Sequence, residues 1–134
     1  MTTERTNPAA RLGFEAGQVV QEIGYDEDVD QDLREGIEVL IGQDLVDEDY
    51  DDVADTVLLW FREDDGDLTD ALVDAIGLLE EGGMIWLLTP KPGRDGYIEP
   101  SDVNEAAQTA GLASTKAISA AADWTGIRLI APKR

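Results

Sequence analysis

The chain has 134 residues, of which 43% are hydrophobic and 30% charged, enough to bury one core and giving no reason to expect a second domain. It contains neither cysteine nor histidine, which excludes disulfides, thiolate nucleophiles, imidazole bases and the usual zinc ligands. Its formal net charge of −20 repels phosphate backbones and argues against direct nucleic-acid binding.

The acidity is uneven. Residues 22–81 carry 23 acids against only Arg34 and Arg62, whereas the remainder has 7 acids against 8 bases. The plainest reading is a solvated face that keeps the protein soluble; sharper ones are a docking surface for a basic partner, adaptation to high salt, or imitation of nucleic acid. No apolar run approaches the roughly 20 residues of a membrane span, and residues 1–11 hold no apolar segment of a secretory signal. A cytoplasmic location and no membrane partner are expected.

In chain order, residues 1–12 are polar and without periodicity, and predict a mobile N-terminal tail ahead of a single domain over residues 13–134. Residues 17–24, GQVVQEIG, read as a first strand; Gln21 and Glu22 make it wet enough for a sheet edge. Acids then precede a helix over residues 29–41, with Leu33, Ile37, Leu40 and Ile41 on its apolar face and Gly42 as its stop. Residues 44–55 are dense in acid and read as a helical turn or two, or equally as an irregular connection.

Residues 56–61, TVLLWF, form a strand of the fully buried type. A helix follows from Leu68, capped by Asp67, with Leu72, Ala75, Ile76 and Leu79 on one face and Gly82 as its left-handed terminator. Residues 84–88, MIWLL, do not alternate, and a strand apolar on both faces belongs in the centre of a helix-covered parallel sheet. The loop PKPGRDGYIEP leaves its carboxyl end; Ser101 then caps a helix over residues 102–110, and residues 114–119 and 127–131 form an antiparallel pair around AAADWTG.

The succession YDDVADTVLLWF, EEGGMIWLLTP, SDVNEAAQTAGL and IRLIAPK resembles the second half of a class I methyltransferase domain, in which a Gly-Gly pair opens the central strand and a hairpin closes the sheet. The resemblance implies an α/β, three-layer, truncated Rossmann-like fold. Its five-stranded, mostly parallel sheet has the order 1-2-3-5-4 with an antiparallel last strand. The whole chain also resembles a family of small acidic actinobacterial proteins of unknown function, through GFEAGQVVQEIGYDEDVD, LLWFREDDGDL and IWLLTPKPGRDG. That family implies no activity.

Two departures from the methyltransferase pattern bear on function. After the first strand, Gly24 is followed by Tyr25, Asp26, Glu27 and Asp28, where a Gly-rich turn would let backbone approach S-adenosylmethionine. The span from Gly42 to Asp55 is too short for the two further strands and helix whose first strand ends in the ribose-holding acid. The chain is therefore not expected to be an active S-adenosylmethionine-dependent methyltransferase, and no cofactor is expected.

Other motifs are weaker. Asp26, Asp28, Asp30 and Asp32 alternate as in a calcium loop, but Gln31 and Ile37 stand where it needs glycine and glutamate. Glu63, Asp64, Asp65 and Asp67 read as helix-start acids before they read as a magnesium site, and no metal or catalytic residue is assigned. Trp60 and Trp86 belong to the core, while Trp124, placed in a turn, is expected to be exposed.

The functional expectation is a non-catalytic interaction or regulatory protein with a protein partner. The alternatives are an enzyme using carboxylates at the strand ends on a small ligand or metal, and an acidic nucleic-acid mimic. Ligands of open α/β sheets bind beyond the carboxyl ends of the strands. The candidate site is accordingly Tyr25, Asp26, Arg62, Glu63 and Asp64, facing Lys91, Arg94 and Tyr97 of the loop after the central strand. The two bases either neutralise those acids or complete a mixed-charge docking surface with Tyr97 and Ile98 as anchors.

Overall fold

The computed structural model describes residues 9–130. Five strands, β1 (Val20–Ile23), β2 (Ala54–Trp60), β3 (Leu79–Pro90), β4 (Ala113–Ser119) and β5 (Trp124–Ile130), form one sheet in the order β1-β2-β3-β5-β4. The first three are parallel, and β5 runs antiparallel to both β3 and β4. This is the expected order.

Helix α1 (Gln31–Ile41) packs on one face, and α2 (Leu68–Ile76) with α3 (Pro100–Ala110) on the other. Alternation along β2 explains why both faces need cover: Leu58 and Trp60 join Leu33, Ile37 and Ile41, while Val57 and Leu59 join Leu72 and Val103. Asp30 and Asp67 accept the Leu33 and Asp70 amides at the starts of α1 and α2, so the expected Asp67 cap forms and Asp30 caps α1 as well. α3 starts two residues early because Pro100, which lacks an N–H, suits the first helical position, so Ser101 lies within the first turn and Glu99, not Ser101, stands at the cap.

Several expectations are corrected. α2 stops at Ile76 and Gly77, and Leu79 already pairs with Ala54 as the first residue of β3. Two steps later in β2, Thr56 pairs with Met84, so Glu80, Glu81, Gly82 and Gly83 accommodate extra residues in the strand. Gly82 takes its left-handed φ of 84° there, and not as a helix terminator. The helical spacing of Leu79 was a coincidence of two elements meeting.

Trp124 is 3% exposed and heads β5, because the turn closes earlier, with Ala120 and Ala121 N–H on the Trp124 carbonyl. Gly126 lies within β5, where a Cβ would come 3.4 Å from the Trp86 ring and 3.1 Å from Ala120 Cβ. Glycine lets the strand pass over the aromatic core.

β1 is an edge strand, yet Gln21 is fully buried and Glu22 is 6% exposed. Val46 makes a single parallel bridge to Gln21, and Gln21 Nε2 donates to the carbonyls of Asp47 and Tyr50 at 3.0 and 3.3 Å. The acidic connection is thus irregular chain held along the edge of β1. Residues 1–8 of the expected tail lie outside the described residues; Ala10–Leu12 form a 3-10 turn whose Leu12 is buried and whose carbonyl accepts Trp86 Nε1 at 3.2 Å. Ala131 of the expected last strand also lies outside.

Candidate functional site

The carboxyl ends of β1 and β2 open on a depression of about 350 Å³ lined by Gly24, Tyr25, Asp26, Glu48, Trp60, Arg62 and Asp65, among others. Gly24 closes β1 at a φ of 85°, and a Cβ on it would lie 2.2 Å from the Trp60 carbonyl oxygen. Only glycine permits that approach. Its N–H donates to Glu48 Oε2 at 2.9 Å, and its carbonyl accepts Arg62 Nη1 at 2.9 Å.

Arg62 bonds in every direction. Nη1 also donates to the Trp60 carbonyl at 3.2 Å and to Asp65 Oδ2 at 3.1 Å. Nε and Nη2 fork onto the two carboxylate oxygens of Asp28, Nε at 3.0 Å. The guanidinium carbon lies 5.2 Å from the Trp124 ring centroid, within cation–π range. Trp124 in turn meets Trp60 edge-on at 4.8 Å and donates Nε1 to the Asp28 carbonyl. The Arg62 hydrogen bond and charge hold the Asp28 carboxyl below its ordinary 3.8. Burial acts to lower the Arg62 pKa, but the Asp28 and Asp65 hydrogen bonds outweigh it and raise the value.

The other arginine of the acidic half is fixed in the same manner. Arg34 forks onto Glu22 at 2.7 and 2.8 Å, and Trp60 Nε1 donates to Glu22 Oε2 at 2.9 Å. The Glu22 hydrogen bond raises the Arg34 pKa against the desolvation that lowers it. Arg34 also lies 4.7 Å from the Tyr25 ring centroid, and Gln31 Nε2 donates to the Tyr25 hydroxyl at 2.9 Å. Tyr25 is therefore held from two sides although it is 52% exposed. A second depression, of about 490 Å³, opens beside it between Glu22, Arg34, Asp47, Glu48 and Asp49.

Of the residues expected at the site, Tyr25, Asp26 and Arg62 line one depression. Glu63 and Asp64 lie next to it in an exposed 3-10 turn, tied to the following loop by the Glu63 amide on the Gly96 carbonyl. Lys91 and Arg94 do not neutralise these acids. Lys91 Nζ donates to Ser119 Oγ and Arg94 pairs with Asp123 at 3.3 Å, both beside the β4–β5 turn. Tyr97 lines a separate cavity with Ile98.

Sequence reasoning missed Glu48, Asp28, Asp65 and the Glu22–Arg34 pair. The available signal was the isolation of Arg34 and Arg62 among so many acids, since a lone cation there attracts several carboxylates. No His/Cys/Asp/Glu group suited to a metal ion occurs among the described residues. None of their helices is long and apolar enough to cross a membrane.

The parallel strands, the terminal antiparallel pair and a crevice at the β1–β2 carboxyl ends define a methyltransferase-like α/β fold. It superposes on a SAM dependent methyltransferase from Aquifex aeolicus with a TM-score of 0.56 and 13% identity, covering 94% of this chain and 90% of that one. The CcbJ methyltransferase from Streptomyces caelestis gives 0.62 and 12% over 94% and 90%, and the neocarzinostatin O-methyltransferase NcsB1 gives 0.68 and 14% over 92% and 52%. At such identities the likeness is one of fold. The chain belongs to the family described as protein of unknown function (DUF3052), which matches residues 9–133. It is 49% identical over 128 residues to the uncharacterized proteins Rv2239c of Mycobacterium tuberculosis and Mb2263c of Mycobacterium bovis, covering 96% of this chain and 80% of each relative.

Proposed function

We propose that this chain is a non-catalytic interaction or regulatory protein that uses a methyltransferase-like scaffold without its cofactor. The observation that carries the reading is that both backbone groups of Gly24, at the turn where such a scaffold would receive S-adenosylmethionine, are hydrogen-bonded by its own side chains, Glu48 and Arg62. Arg62, with Asp28 and Asp65 on its fork, adds bulk and charge to the same crevice. The residues present do not fit the cofactor. A single bridge at Val46, and not a full strand, precedes Glu48, so the acid lacks the rigid support of a paired strand.

The partner is a protein with a basic surface. Tyr25 supplies a preorganised, half-exposed aromatic anchor, and Asp26, Asp47 and Asp49 surround it with negative charge. An aromatic anchor inside a polar rim is the arrangement that concentrates binding energy at interfaces. Affinity capture from the native lysate with wild type and Tyr25→Ala tests this. The expected result is one stoichiometric partner lost by the variant while its melting temperature stays within a few degrees of wild type; equal recovery by both proteins refutes the assignment.

A further inference from the structure

We propose that the cavity lined by Tyr97 and Ile98, roofed by the loop after β3, binds a neutral aromatic small molecule that carries a hydrogen-bonding group. The cavity holds about 350 Å³, within the range of small-ligand sites. It lies on the α2–α3 face of the sheet, separate from the crevice lined by Arg62. Its floor comes from Thr89 and Thr125, paired across β3 and β5, and from Ala117 opposite Ile127. The first turns of α3 supply one wall through Val103 and Asn104.

Two features select the ligand. In a chain that is 30% charged, no Asp, Glu, Lys or Arg among the described residues lines this cavity, so an ion entering it would lose water without gaining a counter-charge from them. Thr89, Asn104, Ser114, Thr125 and Tyr97 line the cavity, and none of their side chains makes a hydrogen bond among the described residues. Thr89 is nevertheless only 3% exposed. Polar groups at the wall of an apolar space that have no protein partner keep their hydrogen-bonding capacity for a guest. The remaining wall includes Pro90, Pro92 and Pro100, whose fixed φ angles keep the site preformed. Together with Tyr97 they offer flat faces for an aromatic ring.

The neutral fluorophore N-phenyl-1-naphthylamine, with its secondary amine, is the probe, and the anionic 8-anilinonaphthalene-1-sulfonate is the comparison. Saturable one-site fluorescence with a dissociation constant of about 1 to 50 μM is expected for the neutral probe, with amide shifts confined to residues 89–104 and 113–127. Ala117→Phe, placed on the exposed side of β4, fills the cavity and weakens binding by about tenfold or more. Asn104→Leu keeps the volume, removes the amide and weakens binding by about threefold, which covers the case in which Ala117→Phe disturbs folding. Absence of saturable binding, equal binding of the sulfonate, unchanged affinity in Asn104→Leu, or shifts centred on Arg62 would each overturn the proposal.

Discussion

Arg62 Nη1 donates to the Gly24 carbonyl at 2.9 Å and thereby ties the end of β2 to the turn that closes β1. The same guanidinium satisfies the Trp60 carbonyl and two carboxylates, so its loss leaves several acceptors without a donor. Arg62→Ala is expected to cost about 2 to 3 kcal/mol, read as a lower urea midpoint. Arg62→Lys recovers only part of this, because an ammonium cannot fork onto Asp28 while reaching both carbonyls.

Gly24→Ala is a sharper probe of the same junction. The added Cβ would sit 2.2 Å from the Trp60 carbonyl oxygen and at a φ of 85°. Backbone strain and overpacking together are expected to cost about 2 to 4 kcal/mol. Thermal melting of the purified variant checks it; a melting temperature equal to wild type would show that the strand ends can separate freely.

The Asp28–Arg62 pair has a definite pH dependence. Arg62 depresses the folded-state pKa of Asp28 below 3.8, so the stability this pair contributes is present above the unfolded value and lost as pH falls through the folded one. The stability difference between wild type and Asp28→Asn is therefore expected to be constant from about pH 7 to pH 5 and to shrink below about pH 4. Denaturant titrations at matched ionic strength measure it. A difference that grows on acidification contradicts the pairing.

Salt acts on the acidic half as a whole. Residues 22–81 hold 23 acids against two arginines, and screening shortens from about 10 Å at 0.1 M to about 3 Å at 1 M salt. Relief of self-repulsion is expected to raise the melting temperature over that range of sodium chloride. A flat or falling curve means that the acids lie too far apart to repel.

Much of the architecture was legible because its signals are local. The unbroken apolar runs of β2 and β3 mark strands covered on both faces, and the acids ahead of α1 and the Asp67 cap of α2 mark helix starts. The end of α2 was not legible, since Leu79 fits a helical stripe and a strand start equally well, and the pairing of Leu79 with Ala54 decides between them. Trp124 misled in a related manner. Asp123, Thr125 and Gly126 have turn chemistry, but Gly126 serves the close pass over Trp86 and the turn falls earlier.

The candidate site was legible only in part. Tyr25, Asp26 and Arg62 meet because strand ends in a parallel sheet point the same way, a consequence of topology. Which acids reach Arg62 and the Gly24 amide depends on the path of irregular loops, and Asp28, Asp65 and Glu48 look like any other carboxylate in so acidic a sequence. Lys91 and Arg94 turned toward Ser119 and Asp123, beside the β4–β5 turn to which the Lys91 amide is tied through the Asp123 carbonyl.

Calorimetric titration with S-adenosylmethionine tests the central proposal, that the backbone groups of Gly24, at the turn where such a scaffold would receive the cofactor, are already taken by Glu48 and Arg62. At millimolar ligand the account predicts no saturable heat. Saturable binding with a dissociation constant below about 100 μM, roughly −5.5 kcal/mol, would contradict it.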